Sequence, residues 1–256
     1  MGILLITTRK GITMTHKTKG IVLRSIKYGE TSLVVTIFTE LFGIQTYMVN
    51  GVRTLKKSSA KANHFQPAAQ LDLLVYHSEN KAMQRIKEFS WLVLYDDLLN
   101  HVIKNSIASY MAELLQKCLK QPEPNTDLFD FCASSFMELD KADKKVTANF
   151  ALFFTLHLPH FFGFRITDNY SSVNLVLDLQ EGNFIDQQPT HPYFIDGKNA
   201  ELTAELLRVM QPGELEEFQL NRDTRRILLL RYLEYYALHI PDFGQIKTLM
   251  IMHEVL

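Results

Sequence analysis

Apolar and polar residues alternate in five short stretches of the first 90 residues, which predicts five β-strands. Successive side chains of a strand point to opposite faces, so this alternation marks strands with one buried face. The stretches are Lys17–Ile26, Leu33–Thr39, Ile44–Val49, Leu71–Tyr76 and Met83–Phe89. Turn-forming residues such as Gly29, Gly43 and Asn50-Gly51 separate them. Five short strands joined by small turns favour a small barrel over a sandwich of seven or more strands.

The hydrophobic period changes to that of helices after Trp91. One stripe recurs at the spacing of a single helix face and consists of Ile107, Tyr110, Met111, Leu114, Leu115 and Cys118. A second helix is expected after Asn125 or Thr126, either of which can cap it. A third carries Phe150 to Phe161 and is expected to end at Gly163.

A different pattern interrupts the helices between residues 167 and 197. The apolar stretches Leu175–Leu179 and Phe184-Ile185 flank the polar turn Gln180–Asn183, which predicts a β-hairpin. Helical spacing resumes over Ala200–Gln211 and Arg222–His239. We therefore expect an α+β protein in three parts: residues 1–14 as a flexible extension or mis-set start, residues 15–90 as the barrel, and residues 91–256 as a helical domain with a hairpin insert at about 167–197.

Charge divides along the same boundary. Between Thr15 and Ser90 there are 11 Lys and Arg residues against 5 Asp and Glu residues, whereas Trp91 to Leu256 hold 14 against 23. A basic front and an acidic rear indicate that only the N-terminal part meets a polyanion such as nucleic acid. A solvated surface of uneven charge is the alternative that charge alone leaves open.

Two further features bear on location. Apolar runs such as Ile227–Leu230 are far shorter than the roughly 20 residues of a membrane helix, and the first positive charges follow the apolar run Ile3–Ile6 instead of preceding it as in a secretory signal. Cys118 and Cys132 both fall on apolar helix faces, which is typical of buried free thiols. These features predict a cytoplasmic protein without membrane contact.

Six landmarks in the strand-rich part follow one another in the order of a known family. They are Gly20-Ile21-Val22-Leu23 with Tyr28-Gly29-Glu30, Phe38-Thr39, Gly43, Gly51-Val52-Arg53, Lys56-Lys57-Ser58 and Phe65-Gln66-Pro67. In these residues the chain resembles the RecO family of bacterial DNA repair proteins. The resemblance is specific in the first third of the chain, and beyond it the helices and Ile246-Lys247-Thr248 agree in position more than in identity.

The resemblance implies an N-terminal OB-fold barrel that binds single-stranded and double-stranded DNA, with a short helix or mobile loop over Leu55–Gln66. Single strands are held by cations that neutralise phosphates and by aromatic faces on which bases stack. Tyr28, Tyr47 and Phe65 are the aromatic candidates, although Tyr47 and Phe65 also suit the barrel core. The basic candidates are Lys17, Lys19, Arg24, Lys27, Arg53, Lys56, Lys57, Lys61, Arg85 and Lys87.

The acidic second domain suits protein partners better than DNA. The resemblance implies that it supports a complex with RecR and docks the acidic, Phe-ending tail of single-strand-binding protein, and so acts on RecA indirectly. Such a tail requires an apolar pocket rimmed by cations. Arg222, Arg225 and Arg226 stand at the start of the last long helix, just ahead of an apolar run, and are the candidates. An ordinary solvated helix end is the alternative.

The chain departs from the family in one respect. Many RecO proteins carry a four-cysteine zinc site after the third helix of the second domain, whereas Phe164–Pro192 contains no cysteine. Zinc requires three or four ligands at short spacing, and the nearby His157, His160 and His191 do not have it. We expect no metal and no cofactor, with the hairpin in place of the family's zinc finger.

The sequence contains no phosphate-binding loop, Gly-x-Ser-x-Gly or His-Glu-x-x-His motif. This agrees with a non-catalytic recombination mediator that anneals complementary strands and helps load RecA on strands coated with single-strand-binding protein. Two alternatives stay open. One is an OB-fold adaptor that bridges repair proteins with only weak DNA contact, and the other is an OB-type RNA binder that reads the ribose 2′-hydroxyl.

Overall fold

The computed structural model describes residues 14–52 and 59–255. The chain divides into two compact units: the first reaches to Leu99 and includes Leu115–Phe136, and the second combines Asn100–Leu114 with the residues from Met137 onward. The first unit contains five strands: β1 (Thr15–Tyr28), β2 (Ser32–Thr39), β3 (Gly43–Val49), β4 (Gln70–Tyr76) and β5 (Gln84–Trp91). Each of the five predicted strands is thus confirmed.

The five strands close into a barrel in the order β1-β2-β3-β5-β4. β1 closes it because its first half pairs with β4 and its second half pairs with β2. All pairs are antiparallel except β3 with β5, which run parallel and meet at Tyr47–Gln84 and Met48–Arg85. This is the five-stranded barrel of the OB type that the sequence predicted.

Gly20 stands where β1 crosses from one partner strand to the other. It lies opposite both Thr39 of β2 and Leu71 of β4. A Cβ at this position would come within 2.6 Å of Ile37 Cγ2 and 2.7 Å of Leu73 Cδ1. The missing side chain therefore lets β1 pass close over the barrel interior, and a β-bulge two residues later adds to the bend.

The barrel core is built largely from the alternate residues of each strand that point inward. It consists of Val22, Leu33, Val35, Ile37, Tyr47, Val49, Val52, Phe65, Ala69, Leu71, Leu73 and Val75. Between β3 and β4, the described residues form a short helix α1 (Ser59–Ala62) and a 3₁₀ turn (Asn63–Phe65) that carries Phe65 into this core. A short helix in this connection agrees with expectation.

Six further helices follow the barrel strands in the described part of the chain. They are α2 (Val102–Cys118), α3 (Thr126–Lys141), α4 (Lys144–His157), α5 (Gly197–Leu207), α6 (Arg222–His239) and α7 (Thr248–Val255). All six residues of the stripe predicted on α2 are buried. Asn125 caps α3, since its Oδ1 accepts a hydrogen bond from the Leu128 amide at 2.9 Å.

The third predicted helix ends at Gly163 as expected, but its last turns are not α-helical. The α-helix stops at His157 and continues as a 3₁₀ helix over Leu158–Phe162, which Gly163 terminates with a φ of 79°. Pro159 is the physical reason, because it has no N–H to donate to the Thr155 carbonyl. The Tyr236 hydroxyl donates to that carbonyl instead, at 2.7 Å.

The insert is a small sheet without cysteine. β6 (Val176–Asp178) and β7 (Asn183–Ile185) form the predicted hairpin, and β8 (Phe194–Ile195) adds a third strand to the other edge of β6. Asp178 Oδ1 accepts the Gln180 amide at 2.7 Å and so shapes the turn. Arg231 of α6 donates to the Phe194 carbonyl at 2.6 Å, so a side chain of a neighbouring helix fastens the sheet.

Candidate nucleic-acid interface and arginine pocket

Arg24 lies on the outer face of the barrel, in a row that crosses three strands. It is exposed and faces Thr36 of β2, which in turn faces Thr46 of β3. Both threonines are half-buried. The row combines one exposed cation with two short polar side chains.

A second row runs beside the first around the outside of the barrel and ends at Arg85. Ile26 of β1 faces Val34 of β2, Val34 faces Met48 of β3, and Met48 faces Arg85 of β5. Ile26 and Arg85 are exposed. Three strand spacings separate β1 from β5 along this row, a path of roughly 14 Å around the curved wall of the barrel. Arg24 and Arg85 thus stand at opposite ends of a band of threonine and aliphatic side chains on the outside of the barrel, which we call the outer face.

Only one of the three candidate aromatic residues is available for stacking. Tyr28 continues the outer-face side of β1 and is 57% exposed. Tyr47 and Phe65 are 0% and 1% exposed and belong to the barrel core, so the core interpretation is correct for both. Burial raises the pKa of Tyr47 well above its usual value, and the neighbouring Thr39 side chain opposes this only in part.

The other basic candidates lie on different parts of the barrel. Lys17 and Lys19 project from the half of β1 that pairs with β4, and Lys19 Nζ lies 3.1 Å from Glu40. Lys27 alternates with Ile26 and falls on the opposite side of β1. Lys87 Nζ lies 3.9 Å from Glu88. Lys61 is exposed on α1, while Arg53, Lys56 and Lys57 lie outside the described residues.

The loop between β4 and β5 adds a cation that sequence reasoning missed. Gln84 fixes the loop, because its amide donates to the carbonyls of Ser78 and Lys81, each at 2.8 Å. Lys81 is exposed and borders a groove that also contains Phe42 and His77, whose rings stack with centroids 3.9 Å apart. Its position in a turn between two barrel strands was the signal that could have found it.

The three arginines proposed for partner binding do come together around one hollow in the second unit. Arg222, Arg225 and Arg226 line it with Leu229 of α6. The remaining walls are Ala148, Ala151 and Leu152 of α4 and Met252 of α7. The hollow is shallow, and about 400 Å³ of space lies in it and in front of it when the open solvent at its mouth is included. We call it the arginine pocket.

Small side chains create the arginine pocket. Ala148 and Ala151 stand one turn apart on α4 and face the hollow with a methyl group each. Leu152, Leu229 and Met252 are 2%, 3% and 0% exposed and form its apolar lining. An apolar hollow rimmed by cations suits a ligand that joins a hydrophobic side chain to a carboxylate.

Arg225 and Arg226 have few partners within the described part of the chain. Arg225 donates to the Leu220 carbonyl at 2.5 Å, but its buried Nε has no hydrogen-bond partner among the described residues. Burial lowers the pKa of Arg225, and the Arg222 guanidinium lowers it further. Arg226 is exposed and forms no ion pair within the described part of the chain.

Arg222 at the first position of α6 is unfavourable for the helix, whereas Asp223 beside it is favourable. α6 begins at Arg222, and Asn221 caps it by accepting the Thr224 amide at 2.8 Å. Cations near a helix N-terminus interact unfavourably with the helix dipole, while anions there are stabilised. Three arginines in the first two turns therefore make a site that an anion would stabilise.

Sequence reasoning missed the apolar half of this pocket. Ala148, Ala151 and Met252 come from helices far apart in the sequence, and no local pattern connects them with α6.

Among the described residues, no three His, Cys, Asp or Glu side chains come together in a way that could hold a metal ion. The helices of the described ranges include none that is long and apolar enough to cross a membrane.

Comparison with known proteins covers both units. The family model for the N-terminal part of recombination protein O matches residues 14–95, and the model for its C-terminal part matches residues 99–247. A DNA repair protein RecO of Azobacteroides pseudotrichonymphae is 34% identical over 242 residues, which are 94% of this chain and 99% of that protein.

Two further relatives show similar agreement. The DNA repair protein RecO of Christiangramia forsetii is also 34% identical over 242 residues, and that of Bacteroides fragilis is 32% identical over 244 residues. In both cases the match covers 94% of this chain and 99% of the relative. The similarity therefore extends over the barrel and the helical part alike.

Proposed function

Since this chain belongs to the RecO family of DNA repair proteins, we propose that it is a non-catalytic recombination mediator. It anneals complementary single strands of DNA and helps to load the RecA recombinase onto strands coated with single-strand-binding protein. The observation that carries the proposal is the outer face, where Arg24 and Arg85 stand at opposite ends of an uncharged band beside the exposed Tyr28.

The outer face has the two components that a single strand requires. Arginine binds phosphate with a planar pair of N–H donors, and an exposed aromatic ring offers a surface on which any base can stack. Neither component reads a base edge, so binding is expected to show little sequence preference. Its affinity is expected to fall with salt, at a slope of about −0.7 per phosphate neutralised on a single strand.

The remaining basic candidates extend the DNA path. Lys17, Lys19, Lys27, Lys61 and Lys87 project from other parts of the barrel surface, and Arg53, Lys56 and Lys57 belong to the same proposal from sequence. Cations on more than one side of a small barrel allow two strands to be held at once. This raises the local concentration of complementary strands and screens their mutual repulsion, which favours annealing.

The arginine pocket is the proposed docking site for the acidic, Phe-ending tail of single-strand-binding protein. Arg222, Arg225 and Arg226 supply cations for the carboxylates, and the hollow beneath them supplies an apolar lining for the terminal ring. The unpartnered Nε of Arg225 supports this assignment, because a buried polar group without a partner is costly unless a ligand satisfies it.

The same proposal places the protein in a complex with RecR, beside the bacterial nucleoid in the cytoplasm. The tail of single-strand-binding protein recruits it to coated strands, and RecA follows indirectly as the coat is displaced. Binding to the tail and binding to DNA use different residues, so one protein can meet the coat and the strand together.

An annealing assay on coated strands tests the proposed function. Complementary strands are coated with single-strand-binding protein, either complete or without its acidic tail, and duplex formation is followed by fluorescence quenching. The proposal predicts faster annealing on strands coated with the complete protein. Equal rates with both coats, or no annealing in either case, would contradict it.

A further inference from the structure

Met252 closes the floor of the arginine pocket from the C-terminal helix. It is 0% exposed and stands among the lining residues with Leu152 and Leu229, whereas its neighbours Met250 and Ile251 are 74% and 58% exposed. One side chain of α7 is thus committed to the pocket, while the adjacent ones face outward. A methionine has three rotatable bonds and adapts its shape to what it contacts.

Glu113 of α2 holds the first turn of α7 in place. Its carboxylate accepts three hydrogen bonds, from the Lys247 amide at 2.9 Å, the Thr248 amide at 2.8 Å and the Thr248 hydroxyl at 2.7 Å. The first amides of a helix have no partner within the helix, so an external carboxylate replaces the usual cap. The position of Met252 therefore depends on a residue of another helix.

We propose that Met252 determines the size of the apolar side chain that the arginine pocket admits, and that Glu113 is the positioning residue that keeps Met252 there. This inference rests on the proposed function of the pocket as a site for a peptide that ends in a hydrophobic residue and a carboxylate. It adds a specificity element that the charges of α6 do not supply.

Among the apolar lining residues, Met252 has the side chain that can most readily change the depth of the hollow. Ala148 and Ala151 have no side-chain torsion that could change the depth, and Leu152 and Leu229 are packed at 2% and 3% exposure. Met252 alone of the apolar lining comes from a helix of eight residues at the end of the described chain, held at its first turn by a single carboxylate.

Three peptides that differ only in their last residue, Leu, Phe or Trp, test the proposal against the full-length protein. Their dissociation constants are measured by fluorescence anisotropy for wild type, for Met252→Ala and for the matched control Met250→Ala on the exposed side of α7. A shortened side chain deepens the hollow, so the preference of Met252→Ala is expected to shift towards Trp. The ratio of the Trp to the Phe dissociation constant should fall by about tenfold, the effect of one or two methylene groups in a pocket.

Glu113 is tested by the same ratio, which a general loss of stability would not change. Glu113→Ala removes all three hydrogen bonds and is expected to shift the ratio in the same direction as Met252→Ala. Glu113→Gln keeps one acceptor oxygen and is expected to fall between Ala and wild type. Amide hydrogen exchange in α7 should accelerate in the same order, which supplies a readout that needs no peptide.

The outcomes separate this inference from the proposed function. If wild type binds the peptides and the ratio is the same in Met252→Ala, Met250→Ala and wild type, the role of Met252 is wrong and the docking site stands. If wild type binds none of the three peptides, the docking site is wrong and the inference falls with it. If Glu113→Ala leaves both the ratio and the exchange rates of α7 unchanged, Glu113 is not the positioning residue.

Discussion

Met48 of β3 faces Arg85 of β5 in the short parallel ladder that closes the barrel. This pairing places Arg85 in the row that begins at Ile26, beside the row that contains Arg24. A cation from the last barrel strand and one from the first therefore stand in neighbouring rows of the barrel wall, although 60 positions of sequence lie between them. The closure of the barrel, and not any local motif, produces the outer face.

Removal of the exposed ring tests base stacking on the outer face. Tyr28→Ala is expected to lower affinity for single-stranded DNA by about 1–3 kcal/mol, the contribution of one stacked base. Tyr28→Phe keeps the ring and should bind as wild type does. The salt slope should be the same in both variants, since no phosphate contact is lost. Equal affinity of Tyr28→Ala and wild type in a fluorescence titration would remove Tyr28 from the interface.

The arginine pocket is tested by two changes that act on different parts of it. Arg226→Glu is expected to weaken binding of the acidic tail peptide by at least about tenfold, because a charge-assisted hydrogen bond contributes about 1.5–3 kcal/mol. Ala148→Phe fills the hollow and should weaken binding with every charge retained. Ala237→Phe adds the same ring at an exposed site of α6 and serves as the control. Full affinity in both pocket variants would show that the tail binds elsewhere.

Stability is expected to decrease below pH 6.5 because of His157. Burial lowers the pKa of His157 below its usual 6.5, the charge of His160 lowers it further, and a hydrogen bond to the Leu206 backbone opposes the shift. The unfolded chain therefore takes up a proton more readily than the folded chain. The free energy of unfolding is consequently highest above pH 6.5 and decreases as the pH falls through the folded pKa. Thermal unfolding is measured at pH 7.5, 6.5 and 5.5. The melting temperature of His157→Gln should fall less between pH 7.5 and pH 5.5 than that of wild type. An identical decrease in both proteins would exclude His157 as the cause.

Gly20 tests the close passage of β1 over the barrel interior. Gly20→Ala is expected to lower the free energy of unfolding by about 1–3 kcal/mol, because the added methyl group must displace Ile37 and Leu73. Gly213→Ala is the matched control, since no atom lies within 4 Å of the Cβ it would add. Urea titrations compare the two. A loss in Gly20→Ala no larger than in the control would show that the barrel interior accommodates the methyl group without cost.

Local patterns predicted most of the fold. Alternation located the five barrel strands, and the helical spacing over Arg222–His239 matches the bounds of α6. Gly163 was predicted to end the third helix, but the change to a 3₁₀ helix after His157 was not, since the hydrogen bond from Tyr236 that replaces the one lost at Pro159 is a tertiary contact. β8 has only two residues, which is too few for a periodic signal.

The site was predictable in its charges and not in its surroundings. Residue type alone suggested Arg24, Arg85 and the three arginines of α6, because cations are easily recognised in sequence. That Lys19 lies 3.1 Å from Glu40 depends on strand pairing, which sequence spacing does not show. The same holds for the arginine pocket, whose walls come from three helices.

The salt dependence of single-strand binding tests the central claim most directly. Dissociation constants for single-stranded DNA are measured between 50 and 300 mM salt for wild type, for Arg24→Glu/Arg85→Glu and for a charge-matched control, Arg165→Glu/Lys198→Glu, in the second unit. We predict that the slope of log affinity against log salt becomes shallower by about 1.4 in the outer-face variant, since each lost phosphate contact removes about 0.7. The control should keep the wild-type slope. A wild-type slope in the outer-face variant as well would contradict the account.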